Sequence, residues 1–183
     1  MTSCLLIIDI QNDYFPGGAY PLVDPEAAGD AARTVLNRFR ELSLSIVHIK
    51  HVWDEPGASF MVPGTFGAEI NDRVKPVAGE TVIEKGFPNA FRETALTNVL
   101  AGLNADELVI AGMMTSMCVD ATVRAAADFG FRVTLVADAC AAPNLEFGGR
   151  AVAAADVHAA YLASLASDYA TVTTSTEWLV QSA

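Results

Sequence analysis

The chain has 183 residues, 52% of them hydrophobic, which is enough for one full core and short for two, so a single domain spanning 1–183 is expected. Eleven Lys and Arg against 22 Asp and Glu give a net charge of -11, which repels a phosphate backbone and removes nucleic acid from the expected partners. No apolar run approaches the roughly 18 residues of a membrane span, and the opening MTSCLLIID has no basic region ahead of its apolar residues, so neither membrane nor export is expected.

The first element is CLLIID (4–9), an apolar run that reads as a buried strand and closes on Asp9. A helix over 25–42 follows, with Asp24 as its N-cap and Pro25 at the first helical position. LSIVHIK (44–50) is the second strand, and its His48 reads as a satisfied core residue. The stretch 51–72 is rich in Gly and Pro and has no period; an irregular segment that long inside a compact domain is usually functional. TVIEK (81–85) is the third strand, followed by a helix over 92–102. ELVIAG (107–112) is the fourth, followed by a helix over 116–129 that stops at Gly130. RVTLVADA (132–139), a helix over 148–166, ATVTT (170–174) and a helix over 175–181 complete the chain. His158 reads as a packing residue of the helix before the last strand. This alternation of apolar strands and helices implies an α/β fold of three layers, α/β/α, around a six-stranded parallel sheet covered on both faces.

In an open parallel sheet, ligands sit beyond the carboxyl ends of the strands. Those ends carry Asp9, His51, Lys85 and the run Met114 to Cys118. Each has a bland reading. Asp9 can cap a turn with Gln11, Asn12 and Asp13; Lys85 can snorkel to solvent; Cys118 can pack as a small hydrophobe. A carboxylate, an ammonium and a thiol at one rim nonetheless answer one another's electrostatic needs, which three unrelated residues need not do. Cys4, Cys118 and Cys140 are odd in number and lack CxxC or metal-ligand spacing, which suits a reduced, cytoplasmic setting better than a disulfide framework.

Three segments, LLIIDIQNDYFPGGAYPL (5–22), VIEKGFPNAF (82–91) and VIAGMMTSMCVDATVRAAADFGFRVTLVADACAA (109–142), resemble in order the motif blocks of the isochorismatase-like cysteine hydrolases. The resemblance implies an isochorismatase-like hydrolase fold with strand order 3-2-1-4-5-6 and a catalytic triad of Asp9, Lys85 and Cys118. It also implies a cis peptide joining Met113 to Met114, and self-association into a homodimer or homotetramer. On that footing Cys118 attacks a small amide, ureide or lactam and forms a thioester. Asp9 accepts and returns the proton, and the backbone N–H groups of Met114 and Cys118 form an oxyanion hole. Lys85 and the helix dipole are expected to lower the thiol pKa.

Nicotinamidases of this family carry an Asp-x-His pair and a further His that bind a metal. Here Asp54 is followed by Glu55 and Pro56, so neither a metal nor any other cofactor is expected. Substrate contacts are expected from Tyr14, His51, Trp53, Phe60, Phe87 and Asn89, with Met114 beside them; His51 packing on Trp53 is an equal alternative. Isochorismatases proper cleave a vinyl ether and lack the cysteine, so Cys118 favours C–N hydrolysis. The competing reading is a small-molecule-binding domain that keeps the fold without turnover. A dinucleotide enzyme is set aside, because the first turn reads IDIQND rather than GxGxxG.

Overall fold

The structure, a computed structural model, describes residues 2–181. Six parallel strands form one sheet in the order β3-β2-β1-β4-β5-β8: β1 (Ser3–Ile8), β2 (Ser45–His51), β3 (Thr81–Lys85), β4 (Glu107–Met113), β5 (Arg132–Ala141) and β8 (Thr171–Thr173). As the sixth strand of this sheet, β8 completes the order 3-2-1-4-5-6 that the family resemblance implies. The strand order reverses between β1 and β4, where the two outward-winding halves of the sheet begin.

The period of two along each strand divides the core between the faces. In β1, Leu5 and Ile7 face the layer of α1 (Pro25–Glu41) and α5 (Ser175–Gln181), with Val35, Leu36, Phe39 and Trp178. Cys4, Leu6 and Ile8 face the opposite layer of α2 (Leu96–Gly102), α3 (Asp120–Asp128) and α4 (Ala154–Asp168), with Leu100, Val123 and Leu165. Both faces of the central strands are dry, which accounts for their unbroken apolar runs.

Asp24 is the N-cap residue of α1 with Pro25 in the first turn, as expected, although its side chain makes no capping bond, because its backbone is left-handed (φ 50°, ψ 42°) rather than extended. Three expectations are corrected. The helix expected over 92–102 begins only at Leu96. Ahead of it Glu93 has φ 56°, and the Thr94 hydroxyl donates to the Ala90 carbonyl and accepts from the Leu96 N–H. The helix expected over 148–166 begins at Ala154, because residues 145–152 form an antiparallel hairpin of β6 (Leu145–Phe147) and β7 (Arg150–Val152). Gly148 and Gly149 have φ of 60° and 77°, the two positive values that a tight two-residue hairpin turn requires. Finally, His48 is buried but half satisfied: Nε2 lies 2.9 Å from Glu80 Oε2, while Nδ1 has no partner among the described residues. Gly130 does end α3, with φ 88° and the Phe131 N–H bonded back to the Ala126 carbonyl.

Candidate active site

Lys85 ends the edge strand β3, paired in register with His51 at the end of β2. Asp9 follows β1, one strand further in, so an ion pair between them must cross two strand spacings, about 9–10 Å. The side chains meet over the end of β2. Lys85 Nζ lies 2.7 Å from Asp9 Oδ2, 2.9 Å from His51 Nδ1, 3.0 Å from the Phe87 carbonyl and 3.2 Å from Cys118 Sγ. The Asp9 and Lys85 side chains have no exposed area, and Cys118 is 4% exposed.

An ammonium has three N–H donors and accepts nothing. His51 Nδ1 therefore faces Lys85 as an acceptor, which leaves the ring proton on Nε2 and the imidazole neutral. Burial and the Lys85 charge both hold the His51 pKa below its ordinary value, against the pull of Asp9. Burial alone would lower Lys85, but the Asp9 charge and the contact with that carboxylate outweigh it and hold the ammonium above its ordinary value. Neither Asp9 oxygen receives a well-directed hydrogen bond among the described residues, although Oδ2 touches the ammonium. The carboxylate thus keeps acceptor capacity beside the sulfur.

Cys118 departs from the expected lowered pKa. Burial, and after it the Asp9 charge, push the thiol well above its ordinary value; Lys85 opposes them and does not win. In the free site the sulfur therefore holds its proton beside an ionised carboxylate. The other two cysteines, Cys4 and Cys140, are buried, outside any disulfide and pushed up to about 12 by desolvation, and neither lines the cleft that opens onto Cys118.

Cys118 sits in a π-helical turn, Thr115–Val119, that precedes α3, where the sequence suggested an ordinary helix start. The wide turn closes through the Val119 N–H to the Met114 carbonyl at 3.2 Å. π turns cluster at functional sites because they displace one residue from the helical track. The peptide joining Met113 to Met114 is cis. Among the described residues the Met114 N–H meets no acceptor. Thr115 is pinned from below, its hydroxyl 3.1 Å from the Ala141 carbonyl and 2.9 Å from His158 Nδ1. His158 is thus more than a packing residue, since it braces the turn that carries the thiol.

Tyr14, His51, Trp53, Phe60, Phe87 and Met114 line one cleft of about 300 Å³ that opens onto Cys118, as the sequence reading expected of the rim. Asn89 does not line it. Its side-chain oxygen accepts from the Phe91 N–H at 2.9 Å, so it shapes the turn after β3. Glu55, Met117, Gly86 and Pro88 also line the cleft and were not singled out in the sequence. Met117 stands one residue before the cysteine, a signal visible only once the turn is known to be wide.

Two buried residues that the sequence offered merely as turn formers hold the segment 51–72 in place. Gln11 donates to the His51 and Ala68 carbonyls and accepts from the His51 N–H, fixing the backbone of the histidine that meets Lys85. Asp13 accepts from the Ala19 N–H at 3.0 Å and from the Met61 N–H next to Phe60. The polar trio Gln11, Asn12 and Asp13 directly after an apolar strand was the available signal.

One atom from each of Asp9, His51 and Cys118 lies within 4.8 Å of the other two, a spacing that could gather a metal ion. Lys85 Nζ already stands among all three at 2.7 to 3.2 Å. A metal there would have to displace a buried, ion-paired ammonium, so this donor set fits the lysine and not an added cation.

The geometry has counterparts in known proteins. The family model of the isochorismatase domain matches residues 3–177. An uncharacterized isochorismatase family protein from Bacillus subtilis (strain 168), YddQ, is 44% identical over 179 residues, covering 98% of this chain and 99% of that one. A maleamate amidohydrolase from Pseudomonas putida is 34% identical over 147 residues, covering 72% of this chain and 68% of the relative. The crystal structure of an isochorismatase from Pseudomonas putida KT2440 superposes with a TM-score of 0.90 at 32% identity, covering 96% of this chain and 89% of that one. With nearly its whole length matched in sequence and in fold, the chain belongs to the isochorismatase family.

Proposed function

We propose that the chain is an amidohydrolase that cleaves the C–N bond of a small amide, ureide or lactam through a thioester on Cys118. The observation that carries this reading is the single ammonium, Lys85 Nζ, in contact with both the Asp9 carboxylate at 2.7 Å and the Cys118 sulfur at 3.2 Å. Kinship with a maleamate amidohydrolase supports the choice of bond.

Because burial and Asp9 keep the thiol protonated, its proton passes to Asp9 as the sulfur attacks the carbonyl carbon, and the carbonyl π pair moves onto oxygen. In this reading the Met114 and Cys118 N–H groups donate to that oxygen; one such donor is typically worth about 3–4 kcal/mol. Collapse of the tetrahedral adduct restores the carbonyl and breaks the C–N bond, and Asp9 delivers its proton to the departing nitrogen. Asp9, again ionised, takes a proton from water as the water oxygen attacks the thioester. The second adduct expels the sulfur, which recovers its proton from Asp9, and the acid product leaves. Lys85 keeps Asp9 oriented and holds a positive charge beside the sulfur throughout. His51 supports Lys85 from the acceptor side and keeps an Nε2–H.

A screen of primary amides, ureides and lactams by ammonia or amine release, with wild type and Cys118→Ala side by side, tests the reading. Release by the wild type and none by the variant is expected. Equal release by both, or none from any compound, would refute it.

A further inference from the structure

Among the side chains lining the cleft beside Cys118, one carries a charge that nothing compensates, that of Glu55. Its carboxylate is solvent-exposed and makes no ion pair or hydrogen bond among the described residues. Among the described residues, no Lys or Arg lines the other walls of the cleft. Lys85 is sealed beneath the cleft against Asp9, and His51 is neutral. Arg92, the guanidinium nearest the Phe87 wall, stacks with its carbon 3.7 Å from that ring's centre, and its Nε lies 3.6 Å from Glu93.

The rest of the lining is aromatic. Trp53 meets Phe60 edge to face at 5.2 Å between centroids, and Phe60 lies 6.3 Å from Tyr14. Ring faces attract cations, a neighbouring carboxylate adds to that attraction, and the chain's net charge of -11 raises the local concentration of cations further. An anionic group in the same place would face the like charge of Glu55, with no cation among the side chains that line the cleft.

Building on the amidohydrolase reading above, we propose that the cleft selects amides whose non-reacting end carries a positive charge, an alkylammonium or guanidinium, with Glu55 as its counter-ion and the Trp53 and Phe60 rings as its cation-π surface. Affinity for such a substrate then depends on ionic strength, because Glu55 is at the mouth and screened by salt.

The test uses three probes of one shape: para-(aminomethyl)benzamide, para-methylbenzamide and para-carboxybenzamide. Dissociation constants are measured by calorimetry on the full chain carrying Cys118→Ser, so that binding is read without turnover. The cation is expected to bind about tenfold tighter than the neutral amide at low salt, and the carboxylate most weakly, with the gaps narrowing as salt rises. Adding Glu55→Gln should bring the cation-to-neutral ratio to about one, and Glu55→Lys should turn the preference toward the carboxylate. Equal affinities, a preference for the carboxylate, no measurable binding of the cation, or a ratio that survives Glu55→Gln would overturn the inference. Turnover by the wild type is read separately: charge preference without hydrolysis refutes only the amidohydrolase reading, and hydrolysis without charge preference refutes only this one.

Discussion

Lys85 and Asp9 form a fully buried ion pair at 2.7 Å although the strand between them, β2, belongs to neither. Removing one partner of such a pair leaves a charge stranded in a dry site, which costs about 3–5 kcal/mol, whereas removing both leaves none. Lys85→Met is therefore expected to lower stability by that amount, and Asp9→Asn combined with Lys85→Met by markedly less than the sum of the single changes. Urea melts of the four proteins check this, and a strictly additive pair of losses would contradict the coupling.

The raised thiol pKa has a direct chemical readout. Alkylation of Cys118 by iodoacetamide should be slow near neutrality and keep accelerating above about pH 9, where an ordinary thiol is already levelling off. Replacing Asp9 by Asn removes one of the two causes and should move the profile toward lower pH. A rate already on its plateau below about pH 8 would show the thiol to be activated in the resting site.

His51 should remain a neutral Nε2–H tautomer, because Lys85 occupies Nδ1 at 2.9 Å. Nitrogen chemical shifts of the labelled ring should report that tautomer and a midpoint below the ordinary 6.5, since burial and the Lys85 charge both lower it. A midpoint above 6.5 would mean that Asp9, not Lys85, governs the ring.

A second polar group, away from the cleft, contributes a pH-dependent part of the stability. Burial alone would raise the Glu80 carboxyl, but hydrogen bonds from Arg40, the Val77 N–H and His48, with the Arg40 charge, bring it from 4.5 to about 2. A depressed carboxyl contributes stability that is fully present above its unfolded value and lost as pH falls through its folded one. Glu80→Gln should thus cost about 1–3 kcal/mol at neutral pH, and the gap to wild type should close between about pH 4.5 and about pH 2. Denaturation curves across that range check it; a gap that is constant with pH would exclude the linkage.

The sheet was legible because its central strands are apolar runs and its edge strands are rich in β-branched residues, and the ends of three strands carried Asp9, His51 and Lys85 at the rim where parallel sheets present their ligands. Contacts made across the chain were not legible. Nothing in the linear order says that Gln11 would hold the His51 backbone, that Asp13 would hold Met61, or that Thr115 would rest on His158. The hairpin at 145–152 carried its own signal, the Gly148–Gly149 pair, which the small-residue composition of the following helix obscured. The sign of the Cys118 shift also lay beyond the sequence. Lysine and helix dipole both argue for a thiolate, and only full burial beside an ionised Asp9 reverses that argument.

Hydrolysis of the C–N bond depends on the covalent step at Cys118. With an amide identified by the release screen, acid-quenched turnover mixtures examined by intact-mass and peptide mass spectrometry should carry the acyl group as a thioester on Cys118. A Cys118→Ala sample treated alike should show neither adduct nor product. Steady turnover with no adduct on that sulfur, or product from the Cys118→Ala protein, would contradict the account.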